Sequence, residues 1–271
     1  MRIVLLSFAV VCLFNSCRHT VESMPSMSDA EEFQLSSPLI TTEKTLFKDS
    51  TLLILESPYP GAVLWFQALN IHTQSTTAAI RYESPIPLKE NTILRAFATH
   101  TEYQTSDTVS LEVFKIKHPL HQSQMSISPG ANTDYLGKGN STLINDTKGS
   151  VSFRNSDEWL GFDQPKITID LVLNPPLTID KVLISSLIDQ DAWIFPLAAI
   201  EVKGGNKVLG SYVNNDANSA TNAQLKTFMV KIPNNHYNKL TIELTSVINI
   251  PDWHPGKGTQ AWLFIDQILV E

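Results

Sequence analysis

Along most of the chain, apolar and polar residues alternate in short runs, the period of a β-strand with one wet face, and no stretch keeps a helical repeat. Apolar runs at Leu52 to Leu55, Ala62 to Phe66, Ile93 to Ala98 and Val109 to Ile116 are separated by the turn sequences Pro58-Tyr59-Pro60-Gly61 and Pro85-Ile86-Pro87. A second set of strands reads at Ile167 to Leu171, Val182 to Ile184, Ile200 to Lys203, Phe228 to Ile232 and Leu240 to Leu244. The last stretch, Pro251 to Glu271, combines a loop rich in Pro, Gly and aromatics with a strand in which Leu263, Ile265, Ile268 and Val270 are apolar. The spacing changes phase by one residue near Asp266, which predicts a β-bulge there. The pattern predicts an all-β protein: a β-sandwich over 36–117, a polar linker over 118–127 and a two-sheet jelly roll over 128–271.

The N-terminus reads differently. Arg2 followed by the apolar run Ile3 to Phe14 and by Phe14-Asn15-Ser16-Cys17 has the form of a bacterial lipoprotein signal peptide over 1–17, with Cys17 as the lipidated residue. An ordinary cleaved signal peptide is the alternative, and the run is shorter than the ~20 residues a membrane span needs. Residues 18–35 are rich in Ser, Met, Glu and Pro and read as a flexible tether. The expected location is the bacterial cell envelope, on the outer membrane, with the face open.

Composition narrows the partners. The net charge is −7 and no long run of Lys and Arg occurs, which argues against nucleic acid. The only cysteines are Cys12 and Cys17, so the mature chain would have no disulfide and must rely on its cores. There is no Gly-rich phosphate loop, nucleophile elbow or zinc spacing.

Two family resemblances add to this. Thr45-Leu46-Phe47, Ser57-Pro58 through Pro60-Gly61-Ala62, Tyr82-Glu83-Ser84-Pro85-Ile86 and Thr92-Ile93-Leu94-Arg95-Ala96 before Ser106 resemble the chitobiase/β-hexosaminidase C-terminal domain, an immunoglobulin-like β-sandwich. Where that family has an aromatic-Thr-Asp-Gly turn, this chain has Phe66-Gln67-Ala68-Leu69-Asn70, so that hairpin must differ. Further on, Tyr135-Leu136-Gly137, Leu143-Ile144-Asn145-Asp146 with Gly149-Ser150, Trp159-Leu160-Gly161-Phe162, Trp193-Ile194-Phe195-Pro196 and Trp253-His254 leading to Ala261-Trp262-Leu263-Phe264-Ile265-Asp266 resemble the discoidin (coagulation factor 5/8 type C) jelly roll. The nearest likeness is the version at the C-terminus of bacterial β-hexosaminidases. The catalytic barrel of those enzymes, with its Asp-Glu pair, has no counterpart.

Sugars stack the C–H face of a pyranose on an aromatic ring, with polar groups at the edge taking the hydroxyls. Trp253-His254, between prolines, is the leading candidate for such a site or else a staple over the barrel mouth. Trp193, preceded by Asp191, and Trp159 are either platforms or core; Trp262, opening the last strand, reads as core. The discoidin resemblance implies a structural calcium between an Asp loop and the last strand, which falls on Asp146 and Gln267, although Gln267 brings no charge. A simple Asx turn at Asp146 is the alternative. Asp189 and Asp191 could in principle serve glycosidase chemistry, but adjacent loop acids are usually solvated. The expected function is non-catalytic binding of a glycan or glycoconjugate by a lipid-anchored protein. The alternative is an assembly module packed on a separately encoded glycoside hydrolase.

Overall fold

The computed structural model describes residues 33–70 and 76–271. The targeting segment, Cys17 and the tether as far as 32 lie outside the described residues.

The first unit comprises β1 (Leu39–Thr42), β2 (Leu46–Phe47), β3 (Thr51–Glu56), β4 (Val63–Asn70), β5 (Ile80–Arg81), β6 (Ile86–Leu88), β7 (Thr92–Thr99) and β8 (Val109–Lys115). These form a three-stranded sheet, β1-β3-β6, and a five-stranded sheet, β2-β8-β7-β4-β5. The two sheets enclose one core: Leu53, Leu55 and Leu88 from one meet Phe66, Leu94, Ala96 and Val113 from the other, as strict alternation along β3 and β7 requires. Phe66 to Asn70, where the resemblance placed a differently shaped hairpin turn, continues as strand and pairs with Thr92 to Ala96.

The second unit comprises β9 (Gln124–Ser128), β10 (Gly137–Asn140), β11 (Leu160–Phe162), β12 (Lys166–Ile188), β13 (Ala199–Gly204), β14 (Lys207–Val213), β15 (Gln224–Thr245) and β16 (Leu263–Val270). The chain is therefore all-β, a sandwich followed by a jelly roll. The expected linker is shorter than the polar composition of 118–127 implies: Leu120 is buried in the jelly-roll core, and Gln124 to Ser128 pair with Val172 to Thr168. Side chains of alternating exposure on this edge strand look polar in a linear reading because only every second one faces inward.

Segments read as separate strands prove to be halves of two long ones. β12 and β15 pair along their whole length, with register shifts at Val172/Leu177 and Ile179/Lys181. The first shift spans Asn174-Pro175-Pro176, whose prolines cannot donate to a ladder and so mark a bend. Beyond it the two strands cross to the opposite layer. Ile167, Ile169 and Leu171 from one half of β12 share a single core with Val182 and Ile184 from the other.

β16 lies between β11 and β12, and all eight of its residues are buried. Ser185 pairs with Gln267 and Ser186 with Ile265, which leaves Asp266 as the bulge residue the phase change predicts. Leu263 and Ile265 before it, and Ile268 and Val270 after it, all enter the main core. The extra residue keeps both halves in phase with the same interior.

The two units meet along an apolar seam of Leu46, Phe114 and Ile116 against Leu183 and Leu269. Polar contacts flank it. Glu271 accepts a hydrogen bond from the Asn91 amide and pairs with Lys117 at 3.2 Å and Lys181 at 3.7 Å. On the other side the Glu112 carboxylate accepts from the Thr227 amide at 3.0 Å. Burial raises the Glu112 carboxyl above its ordinary value, opposed more weakly by the Thr227 bond and by Lys148 and Lys226. Such a group binds more protons folded than unfolded, so the stability it contributes falls as pH rises through and above the ordinary glutamate range. Glu112→Gln keeps an acceptor for Thr227 and cannot ionise. Its urea midpoint is expected to lose part of the decline that the wild-type protein undergoes from acid to neutral pH; parallel curves for the two proteins would refute the assignment.

Candidate functional site

One end of the jelly roll gathers three loops, 189–194, 214–222 and 246–262, and Gln190 ties them together. This buried side chain donates to Ser219 O at 2.9 Å and accepts from Thr221 N at 2.8 Å, while its backbone carbonyl receives His254 Nε2 at 2.8 Å and Trp193 N at 2.9 Å. Gly256 N donates to His254 Nδ1 at 3.0 Å while Nε2 faces the Gln190 carbonyl, so both ring nitrogens are satisfied inside the protein. His254 is 5% exposed. It is therefore the staple beneath the site, in place of the sugar-binding edge group the sequence allowed.

On either side of this imidazole stand two exposed indoles. Trp193 and Trp253 are 40% and 48% exposed, with centroids 5.2 and 5.4 Å from His254 and planes nearly perpendicular to it. Trp253 is fixed by an Nε1 bond to Asn218 O at 2.9 Å and packs against Phe195. Trp193 sits in the left-handed region, φ 61°, at the close of a tight turn in which Asp189 and Ile194 exchange both backbone hydrogen bonds. A bulky residue there costs on the order of 1–3 kcal/mol, a cost met only where the surroundings impose it. Gly256 is part of those surroundings: a Cβ on it would lie 1.9 Å from Trp193 Nε1, so only glycine lets the 251–259 loop close over the ring. Asp191 is exposed on the same turn.

Trp159 is elsewhere in the chemistry of the fold. It is fully buried, its Nε1 donates to Ser150 O at 3.1 Å, and Gly149 packs directly against its ring. The reading of Trp159 as a platform is corrected: the preceding Asp157-Glu158 look like a loop, but the ring points into the cluster of Phe153, Leu187 and Phe264. Trp262, expected in the core, is only half-buried and borders a small cavity with Tyr135 and Arg154. Linear reasoning missed Gln190, Asn218, Gly256, Tyr135 and Arg154, because each acts through a loop distant in sequence and none sits in a recognisable spacing.

The residues assigned to calcium do not fit that ion. Asp146 adopts φ 58°, and the neighbouring Asn145 side chain accepts from Thr147 N at 2.8 Å, an Asx turn. Gln267 is buried on the strand, its amide donating to Ile268 O. The carboxylate that faces the loop is Asp266, which accepts from Gly149 N at 2.8 Å and lies 3.6 Å from the Lys148 ammonium. Both side chains are nearly inaccessible, at 0% and 4% exposed. Calcium takes six to eight oxygen ligands, from carboxylates, carbonyls and waters. Here the one buried carboxylate is already neutralised by an ammonium from the chain itself. Among the described residues no cluster of three acidic, His or Cys side chains could hold a metal.

No family model matches the chain, and no curated protein matches it. Among solved structures it is similar to a mutant Ruminococcus gnavus GH29 fucosidase in complex with fucose, at 12% identity and TM-score 0.35 over 57% of this chain, though spanning only 26% of the fucosidase. It is similar also to the family 32 carbohydrate-binding module of Streptococcus pneumoniae EndoD, at 10% identity and TM-score 0.38 over 56% of this chain and 97% of that one. A SusE-like protein aligns over 85% of this chain and 95% of its own, at 9% identity and TM-score 0.38. With TM-scores below 0.5, none of these likenesses bears on what the present chain binds.

Lys148→Met should lower stability by about 3–5 kcal/mol, because it strands a buried carboxylate. Thermal melts of the wild-type protein should be unmoved by millimolar calcium or by a chelator. A calcium-dependent rise in wild-type Tm would restore the metal.

Proposed function

We propose that this chain is a non-catalytic carbohydrate-binding protein whose site is the loop end bearing Trp193 and Trp253. The observation that carries the reading is the pair of indoles: two large rings 40% and 48% exposed, each fixed by buried partners, one of them in a strained backbone conformation. Folding alone gains nothing from exposing such rings, whereas a rigid aromatic face that loses little entropy on contact is what stacking on a pyranose requires. The Asp191 carboxylate is available at its margin for hydroxyl groups. The jelly roll supplies the rigid base and the sandwich a spacer.

We further propose that the protein is anchored through a lipid on Cys17 at the bacterial cell envelope, on the outer membrane, by a tether that ends before Phe33 and not at 35, since Phe33 and Leu35 bond to the Gln104 backbone and Leu35 is buried. Membrane fractionation and incorporation of a labelled fatty acid should both be lost in Cys17→Ser. A soluble, unlabelled wild-type protein would overturn the anchor and leave the site untouched.

Affinity electrophoresis or a glycan array on the folded protein should detect a sugar ligand. Trp253→Ala and Trp193→Ala should each weaken binding at least tenfold, about 1.4 kcal/mol, in proteins that remain folded, because each ring is about half exposed and lies outside the main core. A Tyr59→Ala control, on the sandwich, should bind as wild type. If no glycan is retained, or if both tryptophan variants bind unchanged, the reading fails. Co-purification of the same face with a glycoside hydrolase would instead assign it to assembly.

A further inference from the structure

Beside Trp193, across the segment Ala192 to Ile194, lies a cavity of about 70 Å³ walled by Tyr135, Phe153, Ile194, Trp262 and Phe264, with Arg154 at its lip. The rings pack edge to face, Tyr135 to Trp262 at 5.4 Å and Tyr135 to Phe264 at 4.7 Å, so the walls are rigid. One of its walls is tied to the backbone of the proposed sugar platform: Trp262 N donates to Trp193 O at 2.9 Å.

The charges around it are unevenly used. In the loop that carries Arg154, Glu158 accepts from Ser150 N and Oγ at 3.1 and 3.0 Å, and Asp157 pairs with Lys138 at 3.3 Å. The Arg154 guanidinium lies 5.1 Å from the Phe153 ring centroid, stacked and exposed, and among the described residues no carboxylate lies within ion-pair distance of it. Asn155 beside it is in the left-handed region, φ 58°, which fixes the turn. An unpaired, stacked guanidinium presents its planar fork of donors to a planar anion, and carboxylate is the group it matches with two parallel bonds. A space of this size holds on the order of two waters, so it takes a substituent and not a sugar ring.

We propose that this cavity receives the carboxylate of an acidic sugar, a uronic acid within a glycan whose neighbouring ring rests on Trp193. The inference rests on the glycan-binding reading above and narrows it. In a chain of net charge −7, Arg154 offsets locally the repulsion an acidic glycan would meet, so binding should weaken as salt screens it.

The test compares oligogalacturonides with the same oligomers carboxyl-reduced to neutral galactose units, by calorimetry on the full folded protein. Wild type should bind the acidic series at least tenfold more tightly at low salt. Arg154→Met, a change at an exposed position, should abolish that preference by weakening the acidic series, and Trp193→Ala should weaken both. Equal affinity for the two series, or a preference that survives in Arg154→Met, overturns the acidic assignment and leaves the glycan reading standing. Failure of every sugar, neutral and acidic, to bind overturns both.

Discussion

The structure turns on the burial of β16. A strand buried along its whole length has no water to fall back on, so every polar group along it must be satisfied by the protein or pay the cost of desolvation. The bulge at Asp266 is where that constraint is met in part, through one of the two carboxylate oxygens. It lets the apolar residues on both sides of it reach one core, and it places a carboxylate where the Gly149 amide and the Lys148 ammonium can take it. The loop at 145–150 is thereby tied to the last strand without an external ion. Lys148 also influences Glu112 from the sandwich, so the same ammonium contributes to the seam between the units.

From this buried strand the loop end proposed as the binding site follows geometrically. Trp262 opens β16 and hands its backbone to Trp193, and the loop before it brings His254 and Gly256 under the same ring. Gln190 closes the arrangement by bonding to the third loop. The exposed indoles are thus mounted on groups with no freedom of their own. That explains how a tryptophan can stay in a left-handed conformation and half in water, a combination a loosely held loop would relax by turning the ring inward.

How far the sequence was legible varies residue by residue. The all-β class, the run of strands and the bulge at Asp266 could be read directly, because a strand with one buried face writes its period into the chain and a bulge shifts that period by one. The exposure of Trp253 was anticipated by the prolines around it, which bar it from a strand. Trp159 misled because a single ring after two acids carries no period, and its direction was set by the room Gly149 leaves. His254 misled for the same reason: its partners are a carbonyl 64 residues away and a neighbouring amide.

What the sequence determined by itself was local and repetitive: strand content, the positions of turns, and the stock of aromatic and acidic residues at the loops. What only the tertiary structure decided was which of those residues meet. It made halves of one strand out of segments that looked separate, put an ammonium where a metal ion was expected, and chose two of the five tryptophans to face water as a fixed pair. The reason is physical. Periodicity reports the environment of a residue averaged over a face, whereas a binding site depends on single contacts between loops far apart in the chain, and those exist only once the core has fixed the ends of every loop.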